Sequence, residues 1–357
     1  MKKTISLVLI VLLCLVTEIA NADFTFSEPV NPGVPVNSTA GDYGACPSAD
    51  GLSLYFSSNR SGSYGHNTYD LWVVTRPTTN DPWQEPENLG PVVNSGDWES
   101  APCISPDGLS LYFEIFKSGE WDIWVTTRAT KDADWGEPVN LGPTFNSLTP
   151  DLSPSISPDG LSLFFDSGRE GGYGMGDIWI ATRATIDEPW GEPENLGPPI
   201  NTSDFDVQAS MSTDGLMLFF SSNRSGNQDL WYTTRATPSD PWGQPVNMGD
   251  TVNSSVAEAY PKISADGRTL YFNTEELPGG LGSYDHWQVS IDPVVDLNGD
   301  GIVDSADMCI MIGYWGMDEP LCDIGPMPWG DGVVDVQDLI VLADHLFEEY
   351  PPVEPVE

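Results

Sequence analysis

The sequence contains the stretch Ile104-Ser105-Pro106-Asp107-Gly108-Leu109-Ser110-Leu111-Tyr112-Phe113, in which Ser-x-Asp-Gly is followed by an alternating apolar run. This unit occurs five times, and the spacings between its glycines are 57, 52, 55 and 52 residues: Gly51, Gly108, Gly160, Gly215 and Gly267. Repeats of roughly 50 residues are typical of propellers or arrays. Asp-Gly is a tight-turn signal, and period-two alternation on both sides indicates two strands joined by a hairpin. Each copy is therefore predicted to form a sheet.

Two further signatures recur at fixed offsets within each copy. The first is Asp-[Leu/Ile]-Trp ahead of a β-rich run, with its tryptophan at Trp72, Trp124, Trp179, Trp231 and, in altered form, Trp287. The second is Trp-x-x-Pro-x-Asn-[Leu/Met]-Gly, which begins at Trp83, Trp135, Trp190 and Trp242. Proline restricts a strand to a sheet edge, so this second motif predicts an outer fourth strand. Four strands per repeat describe a propeller blade.

The N-terminal segment supplies the outer strand that the last copy lacks. Ser27-Glu28-Pro29-Val30-Asn31-Pro32-Gly33 is similar to Gly136-Glu137-Pro138-Val139-Asn140-Leu141-Gly142, and it precedes the first hairpin unit. The chain then has five inner hairpins and five outer strands, one of each for every repeat. The sequence therefore predicts an all-β, five-bladed β-propeller over residues 23–292, closed by the N-terminal strand, which removes exposed sheet edges.

These units resemble the WD40-like repeats of TolB-type β-propellers, through Ile-Ser-Pro-Asp-Gly-Leu-Ser-Leu-Tyr-Phe and its four relatives. The resemblance implies a propeller and often a periplasmic or surface role. The TolB propeller has six blades, which this chain does not match. Because many functions share this fold, the resemblance implies little about chemistry.

The N-terminus has the pattern of a secretory signal peptide. Lys2 and Lys3 precede an apolar core from Ile5 to Val16, and Ala20-Asn21-Ala22 is a small-residue cleavage site. Residues 1–22 are thus predicted to be removed after Ala22, which gives a secreted, cell-surface or periplasmic protein. No later segment has the roughly 18 apolar residues of a membrane span, so none is expected.

The chain is strongly acidic, with a formal net charge of −41 from 54 acidic and 13 basic residues. Such a surface repels nucleic acid and attracts cations, so nucleic-acid binding is not expected. Four of the bases recur at one repeat position, and the aspartate before each Leu/Ile-Trp is the expected partner of these bases: Arg60, Lys117, Arg169 and Arg224.

Four cysteines remain after Ala22, which allows three pairings in an oxidising compartment. Cys46 and Cys103 occupy equivalent positions on neighbouring inner strands, where a Cα separation beyond about 7 Å would prevent a bridge. Buried free thiols are the favoured alternative for these two. Cys309 and Cys322 share a small module and are the favoured pair.

Beyond Ile291 the pattern changes to Asp296-Leu297-Asn298-Gly299-Asp300-Gly301-Ile302-Val303-Asp304-Ser305-Ala306-Asp307, which fits a twelve-residue calcium loop. Gly301 holds the turn at position six. The expected Ca²⁺ ligands are five side chains and one carbonyl: Asp296, Asn298, Asp300, Asp304, Asp307 and the carbonyl of Ile302. Position twelve is aspartate where an ordinary EF-hand has glutamate.

A second, altered loop ends at Asp338 and is followed by an amphipathic segment from Leu339 to Leu346. Its expected ligands are Asp323, Asp331, Val333 through its carbonyl, Asp335 and Asp338. Met327 and Trp329 fall at positions one and three and cannot coordinate, so this site is weak or empty unless Asp323 completes it.

Two tandem loop-helix halves resemble a type I dockerin, a small α-helical domain of paired half EF-hands, over residues 293–348. The resemblance implies calcium-dependent folding and binding to a cohesin domain on a scaffold or cell surface. In dockerins, loop positions ten and eleven read the partner; here these are Ser305, Ala306, Val336 and Gln337. Residues 349–357 are predicted to be a disordered tail.

The usual catalytic motifs are absent: there is no Gly-x-Ser-x-Gly, no His-Glu-x-x-His and no Gly-rich phosphate loop. One acid stands nine residues before each hairpin glycine, and these acids are expected to ring the channel mouth: Asp42, Glu99, Asp151, Asp206 and Glu258. They form either a site for a cation or a hydroxyl-rich ligand, or repeated caps of backbone N–H groups.

Aromatic residues of the same face break the symmetry of the repeats. Trp98, Trp121 and Phe205 are the main candidates for stacking on sugar rings, with Tyr64, Tyr173 and Tyr284 beside them; blade packing is the alternative. The sequence thus predicts a binding propeller for a carbohydrate or protein ligand, attached through a dockerin to a cohesin-bearing scaffold. The alternatives are a polysaccharide-degrading glycoside hydrolase, because dockerins commonly carry such enzymes, and a structural surface protein.

Overall fold

The structure is a computed structural model that describes residues 24–65, 68–275, 277–298, 302–317, 322–325 and 333–348. The predicted signal peptide and the predicted tail lie outside the described residues. Two compact units divide the chain. One is Phe26–Asp292, and the other lies within Pro293–Glu357.

The first unit is a β-propeller of five four-stranded antiparallel sheets. In chain order its strands are β1 (Phe24–Phe26), β2 (Asp42–Pro47), β3 (Ser53–Ser58), β4 (Asp70–Thr75), β5 (Glu87–Asn88), β6 (Trp98–Ile104), β7 (Ser110–Lys117), β8 (Glu120–Thr127), β9 (Val139–Asn140), β10 (Asp151–Ile156), β11 (Ser162–Ser167), β12 (Asp177–Thr182), β13 (Glu194–Asn195), β14 (Asp206–Met211), β15 (Met217–Ser222), β16 (Asp229–Thr234), β17 (Val246–Asn247), β18 (Glu258–Ile263), β19 (Thr269–Thr274) and β20 (Asp285–Pro293). Blades 1 to 4 follow chain order, as in β2-β3-β4-β5. The prediction of five blades is confirmed.

The fifth sheet has the order β1-β20-β19-β18, so an N-terminal strand lies at its outer edge. Beyond β1 the pairing continues: Val30 and Gln288 exchange two backbone hydrogen bonds of 2.8 and 2.9 Å. The side chain of Asn37 also bonds both backbone groups of His286 at 2.9 Å. Whether the ring depends on this strand for its closure stays a prediction.

The Ser-x-Asp-Gly motif forms the turn between the first two strands of each blade. In blade 2 the Ser105 hydroxyl donates to Asp107 at 2.6 Å, and the same carboxylate oxygen accepts from the N–H of Leu109 at 2.9 Å. Gly108 has φ 73°, a left-handed conformation that glycine adopts without steric cost. We call the side of the propeller that carries these turns the hairpin face and the opposite side the upper face.

The core of each blade repeats one aromatic pair across its second and third strands. The phenylalanine five residues after the hairpin glycine is fully buried in every blade: Phe56, Phe113, Phe165, Phe220 and Phe272. Each lies in register with the tryptophan of the Asp-[Leu/Ile]-Trp motif, as Phe56 does with Trp72. Burial of such large rings contributes about 2 to 3 kcal/mol each.

Every inner strand carries a bulge at its third repeat position. The residue there has φ between 47° and 69°, and only the first is glycine: Gly44, Ala101, Ser153, Gln208 and Tyr260. The bulge turns its N–H towards the preceding blade, where a side chain of the second strand accepts it in four of the blades. Tyr260 instead donates to the side chain of Gln208 at 2.9 Å.

The second unit contains two described helices of nine residues, α1 (Ser305–Gly313) and α2 (Val336–Asp344). Both begin with the same reciprocal capping box, formed by Asp304 with Asp307 and by Asp335 with Asp338. Its own core includes Val303, Met311, Val334 and Leu342. No helix among the described residues is both long and apolar enough to cross a membrane.

Candidate functional site

A row of five aromatic rings crosses the upper face towards the central channel. Consecutive ring centroids lie 4.8 to 6.2 Å apart along the series Trp121, Trp98, Tyr69, Tyr43 and Tyr260. Trp98 is 39% exposed, and the other four rings are partly buried. The contacts are mostly edge to face, the arrangement that aromatic quadrupoles favour. We call this series the aromatic row.

The row ends at a cavity of about 570 Å³ between blades 3, 4 and 5. Phe205 and Tyr260 supply its aromatic walls, and its polar side chains include Asp166, Gln208, Asn223 and Asn227. Tyr260 therefore belongs both to the cavity and to the aromatic row. We call this space the upper cavity.

Asp166 is the only acidic side chain among the described residues that line the upper cavity. Its Oδ1 accepts from the bulge N–H of Gln208 in the next blade at 2.7 Å. Burial, together with the nearby Glu114, raises the pKa of this carboxyl to about 8 against the opposing effects of the Gln208 N–H, Ser153 and Lys262. Asp166 is thus mostly protonated at neutral pH and offers a ligand a neutral carboxyl group.

The five predicted channel acids lie at the upper ends of the inner strands, but none is exposed. In blades 1, 3 and 4 the aspartate pairs with the arginine of its own blade, at 2.6 Å for Arg60 to Asp42 and 2.5 Å for both Arg169 to Asp151 and Arg224 to Asp206. The same carboxylates accept the N–H of Ser38, Ser147 or Thr202. These hydrogen bonds are the ones expected if the acids cap backbone N–H groups, and the acidic side chains are buried.

Glu99 and Glu258 replace aspartate in the two blades that lack this arginine. Each carboxylate bonds a serine hydroxyl of its own loop, Ser95 or Ser254, and each has an Oε2 atom that is buried without a hydrogen bond. Burial raises the pKa of both groups to about 7. The glutamates thus cap their loops without a counter-cation.

The predicted partner of the recurring arginines was wrong. Arg60 bonds Asp42 on the inner strand, whereas Asp70, the aspartate before Trp72, accepts from the N–H of Tyr64 and the amide of Asn88. The guanidinium of Arg60 also lies 4.8 Å from the Phe56 ring centroid. The inner strand β2 begins at Asp42, and the fold of the blade places that residue beside Arg60. The pairing therefore depends on the packing of the blade and not on proximity in sequence.

The predicted aromatic residues do reach the upper face. Trp98 and Trp121 are part of the aromatic row, and Phe205 is 40% exposed in the upper cavity. Tyr64, Tyr173 and Tyr284 are exposed at 52%, 56% and 40%. The sequence reasoning did not select Tyr43, Tyr69, Tyr260, Asp166 or Gln208. The sequence does contain a signal for Asp166, because three other blades have a neutral residue at the same offset from the hairpin glycine: Ser57, Ser221 and Asn273.

The predicted first calcium loop is described only in part, because Asp300 lies outside the described residues. Asp307 is fully buried, and its two oxygens accept from the N–H of Asn298 at 3.1 Å and of Asp304 at 2.8 Å. Asp296 and Asn298 precede the gap, and the Ile302 carbonyl follows it. Among the described residues no three acidic, histidine or cysteine side chains lie close enough together to hold a metal ion. The side-chain and carbonyl oxygens predicted as ligands of this loop are the donor type that Ca²⁺ prefers.

The second loop repeats this geometry around Asp338. That side chain is fully buried and accepts from Gly325 at 2.7 Å and from Asp335 at 2.5 Å. Asp323 is buried and Val333 is exposed, whereas Asp331 lies outside the described residues. The four predicted partner-binding residues, Ser305, Ala306, Val336 and Gln337, are all exposed at the helix starts.

None of the four cysteines after Ala22 forms a disulfide in the structure. Cys322 is buried and Cys309 is exposed, so the pair predicted for them is not formed. Cys46 and Cys103 are buried free thiols, which agrees with the favoured alternative.

No protein-family model matches the sequence, and no curated protein matches it. Solved structures do match the propeller. One is the catalytic domain of an α-L-arabinofuranosidase from Coprinopsis cinerea, with 11% identity and a TM-score of 0.50 over 75% of this chain and 96% of that one. An α-L-arabinofuranosidase from Podospora anserina in complex with cellotriose has 13% identity and a TM-score of 0.49 over 76% and 97%.

TolB from Acinetobacter baumannii is similar at 15% identity and a TM-score of 0.45. The match covers 74% of this chain and 63% of TolB. TolB-type propellers are thus among its structural neighbours. Identities this low concern the fold alone, and the resemblance to glycosidases and to TolB carries no activity to this chain.

Proposed function

We propose that the propeller binds a carbohydrate at its upper face, in the upper cavity and along the aromatic row. One observation carries this proposal: Tyr260 lines the cavity and also contacts Tyr43, so that stacking surfaces and a polar pocket are continuous. Sugar rings present apolar faces to aromatic rings and hydroxyls to polar groups. A row of rings that ends in a pocket suits an extended chain with one residue inserted.

The charge of the site favours a neutral carbohydrate. The amides of Gln208, Asn223 and Asn227 can both donate to and accept from hydroxyls, and the neutral carboxyl of Asp166 can do the same. The net charge of −41 would repel an acidic polysaccharide. We therefore expect neutral glycans to bind in preference to uronate-rich or sulfated ones.

Binding is favoured over hydrolysis because of the number of acids in the cavity. Glycosidases generally use two carboxyl groups that flank the scissile bond, about 5 to 10 Å apart. Among its described lining residues the upper cavity has only Asp166. A purely structural role is the remaining alternative, and it requires no ligand at all.

A glycan screen of the full chain, with reducing-sugar release measured in parallel, tests this proposal. Trp121→Ala should weaken binding of the glycan found by about five- to thirtyfold, since a partly exposed stacking ring contributes about 1 to 2 kcal/mol. Tyr64→Ala, an exposed ring outside the row, is the matched control. Sugar release by the wild type that Asp166→Asn abolishes would favour the hydrolase, and no binding to any glycan would favour the structural alternative.

We further propose that the C-terminal unit binds Ca²⁺ and docks to a cohesin-bearing scaffold or surface, after export directed by residues 1–22. Asp296, Asn298, Asp300, Asp304, Asp307 and the Ile302 carbonyl would hold the first ion. Two features support this: each helix starts beside a fully buried loop carboxylate, and the exposed helix surfaces are apolar at Ile312 and Ile340. Capture of a cohesin in the presence of Ca²⁺ and its loss in a chelator test the docking role.

A further inference from the structure

The hairpin end of the central channel contains a second cavity, of about 140 Å³. Three layers of equivalent residues line it, one from each blade. The innermost layer is Cys46, Cys103, Ser155, Ser210 and Lys262, and the other two layers are apolar apart from Thr213. We call it the lower cavity. Its volume is far above what a single water needs.

Lys262 is the only charged side chain among the described residues that line the lower cavity. It is 7% exposed, and its Nζ donates to the carbonyl of Pro154 at 3.3 Å. An ammonium group has three donors, so Lys262 can also bind an anion in the cavity. The other blades have cysteine or serine at the same position, so this cation is not required by the repeat.

Two neighbouring thiols face the same space. The Sγ of Cys103 accepts from the backbone N–H of Ile156 in the next blade at 3.3 Å. The Cys46 thiol instead donates to the carbonyl of Pro47 at 3.9 Å. The neighbouring Cys46 thiol and Lys262 lower the pKa of Cys103 against the opposing effect of burial. The neighbouring Cys103 and burial raise the pKa of Cys46. Cys103 is thus the thiolate of the pair and the better nucleophile.

We propose that the lower cavity is a thiol-modification site for small anionic electrophiles, in which Cys103 attacks and Lys262 binds the negative charge. The chemical class is a low-molecular-weight disulfide with a carboxylate. The thiolate of Cys103 forms a bond to one sulfur of that disulfide, and the other sulfur leaves as a thiolate with the bonding electron pair. The small disulfide is the oxidant, and one mixed disulfide is the product.

Iodoacetate and iodoacetamide are matched probes, because they have nearly the same shape and differ in charge. Cys103 Sγ would displace iodide, which leaves with its electron pair. Alkylation is measured by peptide mass spectrometry on the full chain with Cys309→Ser, since Cys309 is exposed and would react. We expect Cys103 to be modified in the folded protein, with a half-maximal rate at a pH below the ordinary thiol pKa of about 8.5.

Three variants separate the roles. Lys262→Gln should lower the iodoacetate-to-iodoacetamide rate ratio by about tenfold, as one lost charge contact predicts. Cys46→Ala should shift the half-maximal rate to higher pH, because the neighbouring thiol contributes to the lowered pKa of Cys103. Cys103→Ser should fold and abolish modification in the cavity, because blades 3 and 4 have serine at this position and Ser210 accepts the equivalent N–H of Ile263 at 3.2 Å.

Absence of Cys103 alkylation in the folded wild type, while Cys309 reacts, would overturn the proposal. An unchanged rate ratio in Lys262→Gln would remove the anion site. If that variant does not fold, protection of Cys103 by acetate but not by acetamide in the unsubstituted chain gives the same answer. Equal protection by both would refute the role of Lys262.

Discussion

The Oδ1 atom of Asp166 lies 2.7 Å from the backbone nitrogen of Gln208, which belongs to the next blade and has φ 64°. A non-glycine residue in this conformation costs about 1 to 2 kcal/mol, and the hydrogen bond to the neighbouring blade offsets part of that cost. The protonated carboxyl thus joins two blades at the wall of the upper cavity. Its protonation links stability to pH.

Asp166→Asn should make the propeller less sensitive to pH. The native pKa of about 8 exceeds the unfolded value of about 4, so the native state keeps a proton that the unfolded state loses. The unfolding free energy of the wild type should therefore fall by about 1.4 kcal/mol per pH unit from this group between pH 4 and pH 8. Urea unfolding of both proteins across this range measures the difference. Parallel pH profiles would show that Asp166 is not protonated at neutral pH.

Glu99→Gln should stabilise the protein at pH 8 by about 3 kcal/mol, because the native pKa of about 7 lies above the ordinary value of 4.5. The wild type gradually loses this stability as pH rises from 4.5 to 7, and the amide removes the loss. Asp42→Asn is the matched variant in a blade with arginine. It leaves Arg60 without its ionic partner and should destabilise by about 3 kcal/mol. If both variants changed the melting temperature in the same direction, the result would contradict this account.

Deletion of residues 23–38 should destabilise the propeller far more than deletion of residues 351–357. The first deletion removes the strand at the outer edge of the fifth sheet and the bonds of Val30 and Asn37. It exposes the edge of β20 to solvent, with its unpaired backbone groups. Differential scanning calorimetry of the two truncated chains tests the closure model. Equal melting temperatures would show that the ring does not rely on this strand.

The two predicted calcium loops should differ in strength. Asp307→Ala should abolish calcium-dependent order of the C-terminal unit, since ion binding and folding are coupled in a module with a small core. Asp331→Ala should cost less, unless Asp323 completes that site, in which case Asp323→Ala should match it. Calcium titration calorimetry of the full chain measures the affinities. Absence of calcium binding by the wild type would end the dockerin hypothesis.

The sequence by itself determined the blades. The alternation around Gly108 and the spacing of its relatives fix which side chains share a face within one sheet, because period two is a local property of a strand. This is why the buried Phe113 and its partner Trp124 follow from the repeat alone. The aromatic candidates Trp98, Trp121 and Phe205 were also found from the sequence, because they break its symmetry.

Only the tertiary structure decided what meets across the blades. Tyr260 comes from the last blade and Tyr43 from the first, and their rings are brought to 5.4 Å by the closed ring of sheets. The burial that keeps Asp166 protonated, and the pairing of Arg60 with Asp42, likewise arise from strands packed against loops distant in sequence. Desolvation and contact between sheets are properties of the assembled ring, so local periodicity does not contain them.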